Sequence, residues 1–152
     1  MNTSTDDLKP FIDDLIHHVY CRIAPSKVHG VGVVAVRPIP KGTNVFQNLV
    51  SKTGSQKDIR VPQDRILKND QIAEGVKQII CDFMTFHEGY IDLPSEGLNQ
   101  LNISFYLNHS DVPNIQTPDG ETFITTRDIE TGEELFSDYH TYSEEPLPYG
   151  TK

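Results

Sequence analysis

The sequence predicts an α+β chain that is mainly β, and two observations carry this. Short β-branched runs bounded by glycine and proline recur from about residue 19 to residue 139, as strands and tight turns do. Helical spacing is confined to two places, 5–18 and part of 62–87, so the helices do not alternate with the strands as a βαβ chain requires. A third observation sets the scale: 152 residues suit one domain with a core of its own.

The elements follow in order. Residues 5–18, "TDDLKPFIDDLIHH", read as a short amphipathic helix beginning near Pro10, with Phe11, Leu15 and Val19 on one side. "VYCRIA" at 19–24 reads as a strand, and Pro25 with Ser26 opens a turn. "VGVVAV" at 31–36 is a second strand. A turn tipped by Lys41 and Gly42 leads to a third at 44–50. Residues 51–60 are polar and read as a loop. Ile72, Val76, Ile79, Ile80 and Phe83 recur at spacings of three and four, which makes 62–87 helical in part. Tyr90 to Leu93 is a short strand, 98–109 leads into the stretch 102–114 where an apolar strand ends in Asn108-His109-Ser110, and 122–127 is another strand. The run 129–139 is a turn and a last strand. There is no internal repeat and no low-complexity tract.

Composition excludes several classes of function. With 36% hydrophobic and 23% charged residues the chain is expected to be globular rather than disordered. No apolar run approaches the roughly 20 residues that span a bilayer, so no membrane role is expected. The start, "MNTSTDDLKPFIDD", lacks the basic and apolar regions of a secretory signal. Cys21 and Cys81 have no metal-type spacing, and they read as reduced thiols of a cytoplasmic protein. A net charge of −9 argues against direct nucleic-acid binding, which needs a basic face. It favours a basic partner, although charge serves solubility equally well.

Gly30-Val31-Gly32 raises a sharper question, because a glycine pair often marks a phosphate-binding turn. A dinucleotide fingerprint needs a third glycine and a following helix. Here Val34-Ala35-Val36 continues as a strand, so no helix N-terminus is available for a pyrophosphate. The pair still lets backbone approach a ligand closely; taken alone, it is equally a hairpin turn. Asn108 and His109 end an apolar segment and need hydrogen-bond partners, in backbone or in a ligand. Gly132-Glu133-Glu134 turns into a strand that ends at Asp138-Tyr139.

The three pieces in sequence, "HGVGVVAVRPIPKGTNVF", "NISFYLNHSDVPN" and "RDIETGEELFSDY", resemble the SET domain of protein lysine methyltransferases. The resemblance runs from about 19 to 142, with 51–95 matching only as a variable insert. It leaves 1–18 as an N-terminal helical extension and 143–152 as a tail. It implies the SET fold: small curved β-sheets with a C-terminal pseudoknot, in which the last strand passes under the loop after Asn-His-Ser. It also implies S-adenosylmethionine as cofactor. Backbone at His29, Gly30, Val31 and Gly32 would cup its methionine and ribose. The Asn108 side chain and the His109 backbone would hold its adenine and amino-acid parts. Tyr139 matches the family's active-site tyrosine. Tyr90, Ser137 and Tyr142 are substrate-channel candidates, and Tyr106 either lines that channel or packs in the core.

The chemistry suits such residues. Methyl transfer from a sulfonium to an amine is an in-line displacement that needs alignment rather than a covalent nucleophile. The lysine amine must be neutral, and an apolar channel disfavours its charged form. The expected substrate is therefore a basic protein or peptide carrying lysine. The departures are equally specific. Asp111 stands where many members have a zinc-binding cysteine, and no cysteine cluster follows Tyr139. His17, His18, His87 and His140 have no closed-site spacing, so no metal is expected. Phe105 replaces an arginine, Gln47 to Val50 replace a Glu-Tyr-x-Gly, and Ser137 replaces an aromatic residue. The small Ser137 implies room for a second or third methyl. With no flanking modules the chain reads as a minimal SET protein. Its lid would come from the tail, through Tyr142 or Tyr149, or from a homodimer. Two alternatives stay open: an inactive SET-fold binding module, and a methyltransferase for a non-lysine acceptor.

Overall fold

The computed structural model describes residues 5–47 and 58–143, the side chains of 5–7 excepted. Nine strands in these residues form three small sheets. β1 (Cys21–Pro25) and β2 (Val31–Ala35) make an antiparallel hairpin, in register from Cys21 opposite Ala35 to Pro25 opposite Val31. β9 (Glu134–Ser137) pairs antiparallel with the other edge of β2, and β6 (Asn108–His109) lies parallel to β9. The order is thus β1-β2-β9-β6, which brings together the three sequence pieces that carry the resemblance.

Period-two alternation sends Val33 and Ala35 of β2, and Leu135 of β9, to one face. There they meet Ile39, Val45, Leu107, Ile115 and Ile129 in the main core. The loop after β6 is tied across β9 by one buried amide. Asn114 Nδ2 donates to the Glu134 carbonyl at 2.9 Å, and the Phe136 amide donates to Asn114 Oδ1 at 2.7 Å. The C-terminal strand therefore lies under that loop, and the fold is the mainly β SET fold that the motif order implies.

A second sheet joins β3 (Asp58–Pro62), β5 (Tyr90–Pro94) and β4 (Thr85–His87) in the order β3-β5-β4. Near it sit α2 (Gln63–Leu67) and α3 (Glu74–Phe83). Ile80, Met84, Phe86 and Ile91 form its core. The third sheet is the pair β7 (Ile115–Gln116) and β8 (Ile124–Thr125). α1 (Thr5–His17) precedes β1, with Pro10 inside it rather than at its start. No helix among the described residues is long and apolar enough to cross a membrane.

Several sequence-based boundaries move. The expected loop at 51–60 ends in β3, an edge strand exposed at most positions, so its polar composition hid it. The expected strand at 44–50 is a single bridge, Asn44 to Ile124, in its described part; residues 48–50 lie outside the described residues. The apolar stretch 98–109 forms two 3-10 turns, Leu98–Gln100 and Ile103–Tyr106, and only Asn108–His109 is strand. Asn102 drives this. Its Oδ1 accepts from the Ser104 amide at 2.9 Å and nucleates the second turn. The strand at 122–127 shrinks to β8.

Cys21 and Cys81 are unpaired thiols. Burial pushes Cys21 up from 9.0 to about 12. The unfolded thiol ionises near its ordinary value while the folded one keeps its proton. Stability is therefore full below that ordinary value and falls as pH rises through it towards 12. Denaturant midpoints should drop between about pH 8 and pH 10.5, and less steeply in Cys21→Ala. An identical slope in the variant would place the loss elsewhere.

Candidate active site

The site begins at the β1–β2 turn. Gly30 sits at φ +52°, in the left-handed region that glycine enters freely. Ser26 Oγ accepts from the amides of Val28 and His29, at 3.0 and 3.2 Å, which shapes the turn. Gly32 is glycine for another reason. A Cβ there would lie 2.0 Å from Glu134 Oε1 and 3.1 Å from Asn108 Nδ2.

Those two side chains are the clamp of the site. Asn108 Nδ2 donates to the carbonyls of His29 and Val31, at 3.2 and 3.0 Å, and to Glu134 Oε1 at 2.9 Å. Glu134 Oε2 accepts from Ser26 Oγ at 3.0 Å. The β1–β2 turn, β6 and β9 are locked together at this corner. Neither Glu134 nor Ser26 stood out as a site residue in the sequence. Glu134 was visible only as part of Gly-Glu-Glu-Leu, with nothing to say which strand it would face.

The groups exposed here fit the implied cofactor. They are acceptors: two backbone carbonyls and a carboxylate. The space beside Gly30 is open, with nothing within 4 Å of a Cβ placed there. Such a corner favours an ammonium or a sulfonium, both of which S-adenosylmethionine carries, and opposes a phosphate. His29, Gly30, Val31, Gly32 and Asn108 are brought together; His109 follows on β6.

His109 ties this corner to the tyrosines. Its Nδ1 accepts from the Tyr139 amide at 3.1 Å, and its Nε2 lies 3.1 Å from Asp111 Oδ1. Since Nδ1 accepts, the network assigns the proton of the neutral ring to Nε2, which donates to Asp111. His109, Asp111 and His140 bring ligand-type atoms within 4.8 Å of one another. In this tautomer, however, His109 has no lone pair at Nε2 to offer a metal.

Tyr139 opens a 3-10 turn, Tyr139–Thr141, capped by Asp138 Oδ1 accepting from the His140 amide at 3.0 Å. Its hydroxyl donates to the Leu107 carbonyl. Its ring lies 5.3 Å from His109 and 5.9 Å from Tyr142. Burial pushes its phenol up to about 12, so it is a neutral hydroxyl throughout the physiological range. Burial also holds Tyr142 well above the usual phenol range. The Tyr142 hydroxyl rests 2.8 Å from Ser137 Oγ.

Tyr139, Tyr142 and Leu107 line a cavity of about 450 Å³, a size typical of ligand sites. Phe83, Phe105 and Phe123 give it an apolar wall, while Asp58, Asp82 and Glu121 give it an acidic side. The Asp58 carboxyl is raised, first by burial and then by the charges of Asp92, Glu121 and Glu96. The other channel candidates lie outside its lining. Tyr106 packs on the main core, its ring tilted against Phe83 at a centroid distance of 5.4 Å. Tyr90 is 42% exposed on β5, opposite Pro62 and His87. Ser137 is buried under the Tyr142 hydroxyl, so the space its small side chain leaves is occupied. Phe105 and Phe83, not expected in the lining, form part of it.

An acceptor-lined corner and an aromatic cavity, joined through β6 and Tyr139, have the layout of a group-transfer site. The chain belongs to the SET domain family, whose model matches residues 30–140, and SET domains are in general methyltransferase domains. No curated protein matches the chain in sequence. Among solved structures, it is similar to a Plasmodium falciparum chain described as a candidate histone methyltransferase. The TM-score is 0.45 and the identity 18%, over 80% of this chain and 94% of that one.

Proposed function

We propose that the protein is an S-adenosylmethionine-dependent protein-lysine N-methyltransferase acting on a basic protein. One observation carries the reading. The aromatic cavity is lined in part by Tyr139 and Leu107, the hydroxyl of the one donating to the carbonyl of the other, and Leu107 is followed directly by Asn108 of the acceptor-lined corner. S-adenosylmethionine, when bound, supplies a methyl group on a positively charged sulfur. His29, Val31 and Glu134 would hold its cationic groups, and Asn108 fixes the spacing between them. The phenylalanine wall takes the four-carbon lysine stem and disfavours the ammonium form, so the amine sheds its proton to water before attack. The Tyr139 hydroxyl spends its proton on Leu107, which leaves its lone pairs to accept from the amine. A reducing, cytoplasmic setting belongs to the proposal and rests on the two unpaired thiols.

The test uses purified protein, labelled S-adenosylmethionine, and histones and a bacterial lysate as acceptors. Stable label recovered as N-methyl-lysine is the expected result. Binding without transfer would favour the inactive module, and label on another residue type a different acceptor. The acidic side of the cavity supports the basic substrate, and its contribution is measurable. Removing charge from both Asp58 and Glu121, as Asp58→Asn with Glu121→Gln, should raise the KM for a basic peptide about fivefold at low salt. The kcat should hold, and the difference should fade as salt rises. An unchanged KM would remove these carboxylates from substrate recognition.

A further inference from the structure

The N-terminal helix carries a surface that the rest of the described residues leave uncovered. Leu8, Phe11, Ile12, Leu15 and Ile16 of α1, with Val19 just beyond it, recur at steps of three and one. That places the five residues of α1 on one face of the helix, and Val19 continues their spacing two residues past its end. In the folded chain each is between 40% and 61% exposed. The helix has thirteen residues, a length that is marginal in water without tertiary packing. One tie to the rest of the chain lies at its C-terminal end. There the Arg37 guanidinium donates to the Ile16 carbonyl, and it also stacks 4.4 Å over the Tyr20 ring. Something must cover the stripe for the helix to persist.

We propose that a second copy of this chain covers it, through antiparallel pairing of α1 with α1 about a twofold axis. The stripe has the symmetry this needs. Its positions pair as 8 with 19, 11 with 16 and 12 with 15, about one centre between residues 13 and 14. Reversing the helix about that centre lays the apolar set onto itself, the condition for an isologous interface. Leu8 then faces Val19 of the partner subunit, Phe11 faces Ile16 of the partner subunit, and Ile12 faces Leu15 of the partner subunit. The antiparallel arrangement also sets opposite ends of the two helix dipoles side by side.

Area points the same way. The six side chains expose on the order of 600 Å² on each copy, close to the roughly 800 Å² per partner of a standard interface once their polar neighbours are added. Other occupants fit less well. Residues 48–57 bring only Leu49 and Val50 as aliphatic side chains, and 144–152 only Leu147 and Tyr149 as large apolar ones, too few to match six. A lipid surface would be met by a helix whose polar face carries Asp13 and Asp14, with Lys9 its one lysine, in a chain of net charge −9. Interfacial helices carry the opposite charge. The pairing also leaves the cofactor corner clear. α1 enters β1 at its Cys21 end, while the Gly30–Gly32 turn lies at the other end of the hairpin, and β6 is on the far edge of the sheet.

The experiment is sedimentation equilibrium on the full chain across a micromolar dilution series. It is repeated on Phe11→Asp with Leu15→Asp, and on Asp13→Ala, which changes the opposite face. The wild type and Asp13→Ala should give twice the 17.2 kDa of one chain. The stripe variant should give one chain mass with the sheet signal of its circular dichroism retained, because both positions are exposed in a single copy. A monomeric wild type overturns the proposal, and so does a stripe variant that remains dimeric. The third arm adds phosphatidylglycerol-containing vesicles. A wild type that is monomeric in solution but sediments with them, while the stripe variant does not, assigns the face to lipid instead.

Discussion

Gly32→Ala should fold, yet bind S-adenosylmethionine about ten- to a hundredfold more weakly. The new methyl would sit 2.0 Å from Glu134 Oε1, inside any allowed contact. The backbone of β2 is held by pairing on both edges, with β1 and β9, so the side chain must give way. Glu134 leaves its bonds to Asn108 at 2.9 Å and to Ser26 at 3.0 Å. Two hydrogen bonds with a charged partner are worth about 1.5 kcal/mol or more each, and each 1.4 kcal/mol is tenfold in affinity. Part of that loss appears as reduced stability and the rest as a looser cofactor corner. A double-mutant cycle isolates the cause. Glu134→Ala removes the severe clash and both bonds and leaves only the 3.1 Å approach to Asn108 Nδ2, so Gly32→Ala should cost much less in that background. Titration calorimetry with the cofactor reads all four proteins. Additive losses would mean that Gly32 is required for some other reason.

The limits of sequence reading show in particular residues. The glycine pair was legible as a turn admitting close approach, because the strand after it excluded a phosphate site. What approaches is Glu134, from a distant segment whose register only the folded sheet sets. The segment from Asn102 read as an apolar strand ending in Asn-His-Ser, which left Tyr106 open between the channel and the core. The chain there makes a 3-10 turn, whose side chains rotate about 120° per residue. Tyr106 is thereby turned onto Phe83 and the core, and Phe105 reaches the cavity. The short side chain of Asn102, acting on the Ser104 amide, decides between the two outcomes. Tyr139 was legible as a strand-end tyrosine after Asp138. Its neighbour Leu107, whose carbonyl accepts its hydrogen bond, looked like any core residue, because backbone groups leave no mark in a sequence. The stripe on α1 was legible only in part, as Phe11, Leu15 and Val19. Its full width appears once Pro10 is found inside the helix and Leu8 joins the face.

Tyr139→Phe should lower kcat about a hundredfold while leaving cofactor affinity within about twofold of wild type, since one oriented polar group in a water-poor site is typically worth a factor of 10²–10³. The split follows from what the residue touches. Its ring lies against His109 and Tyr142, and its amide donates to His109 Nδ1. Phenylalanine keeps all of these contacts, so the His109 side of the cofactor corner is undisturbed. The hydroxyl alone is lost, and with it the bond to the Leu107 carbonyl and the lone pairs offered to the amine. The pH profile separates this role from proton transfer. With its phenol held up to about 12, Tyr139 stays neutral until strongly alkaline pH and cannot act as a tyrosinate base at pH 8. The rate of the wild type should therefore rise with pH as the substrate amine deprotonates, and the variant should trace the same curve at a lower level. If the variant's curve instead moves along the pH axis, Tyr139 is accepting the amine's proton. If its rate equals the wild type's, the hydroxyl is not part of the reaction, and the Tyr142 hydroxyl, held by Ser137 at 2.8 Å, is the next group to remove.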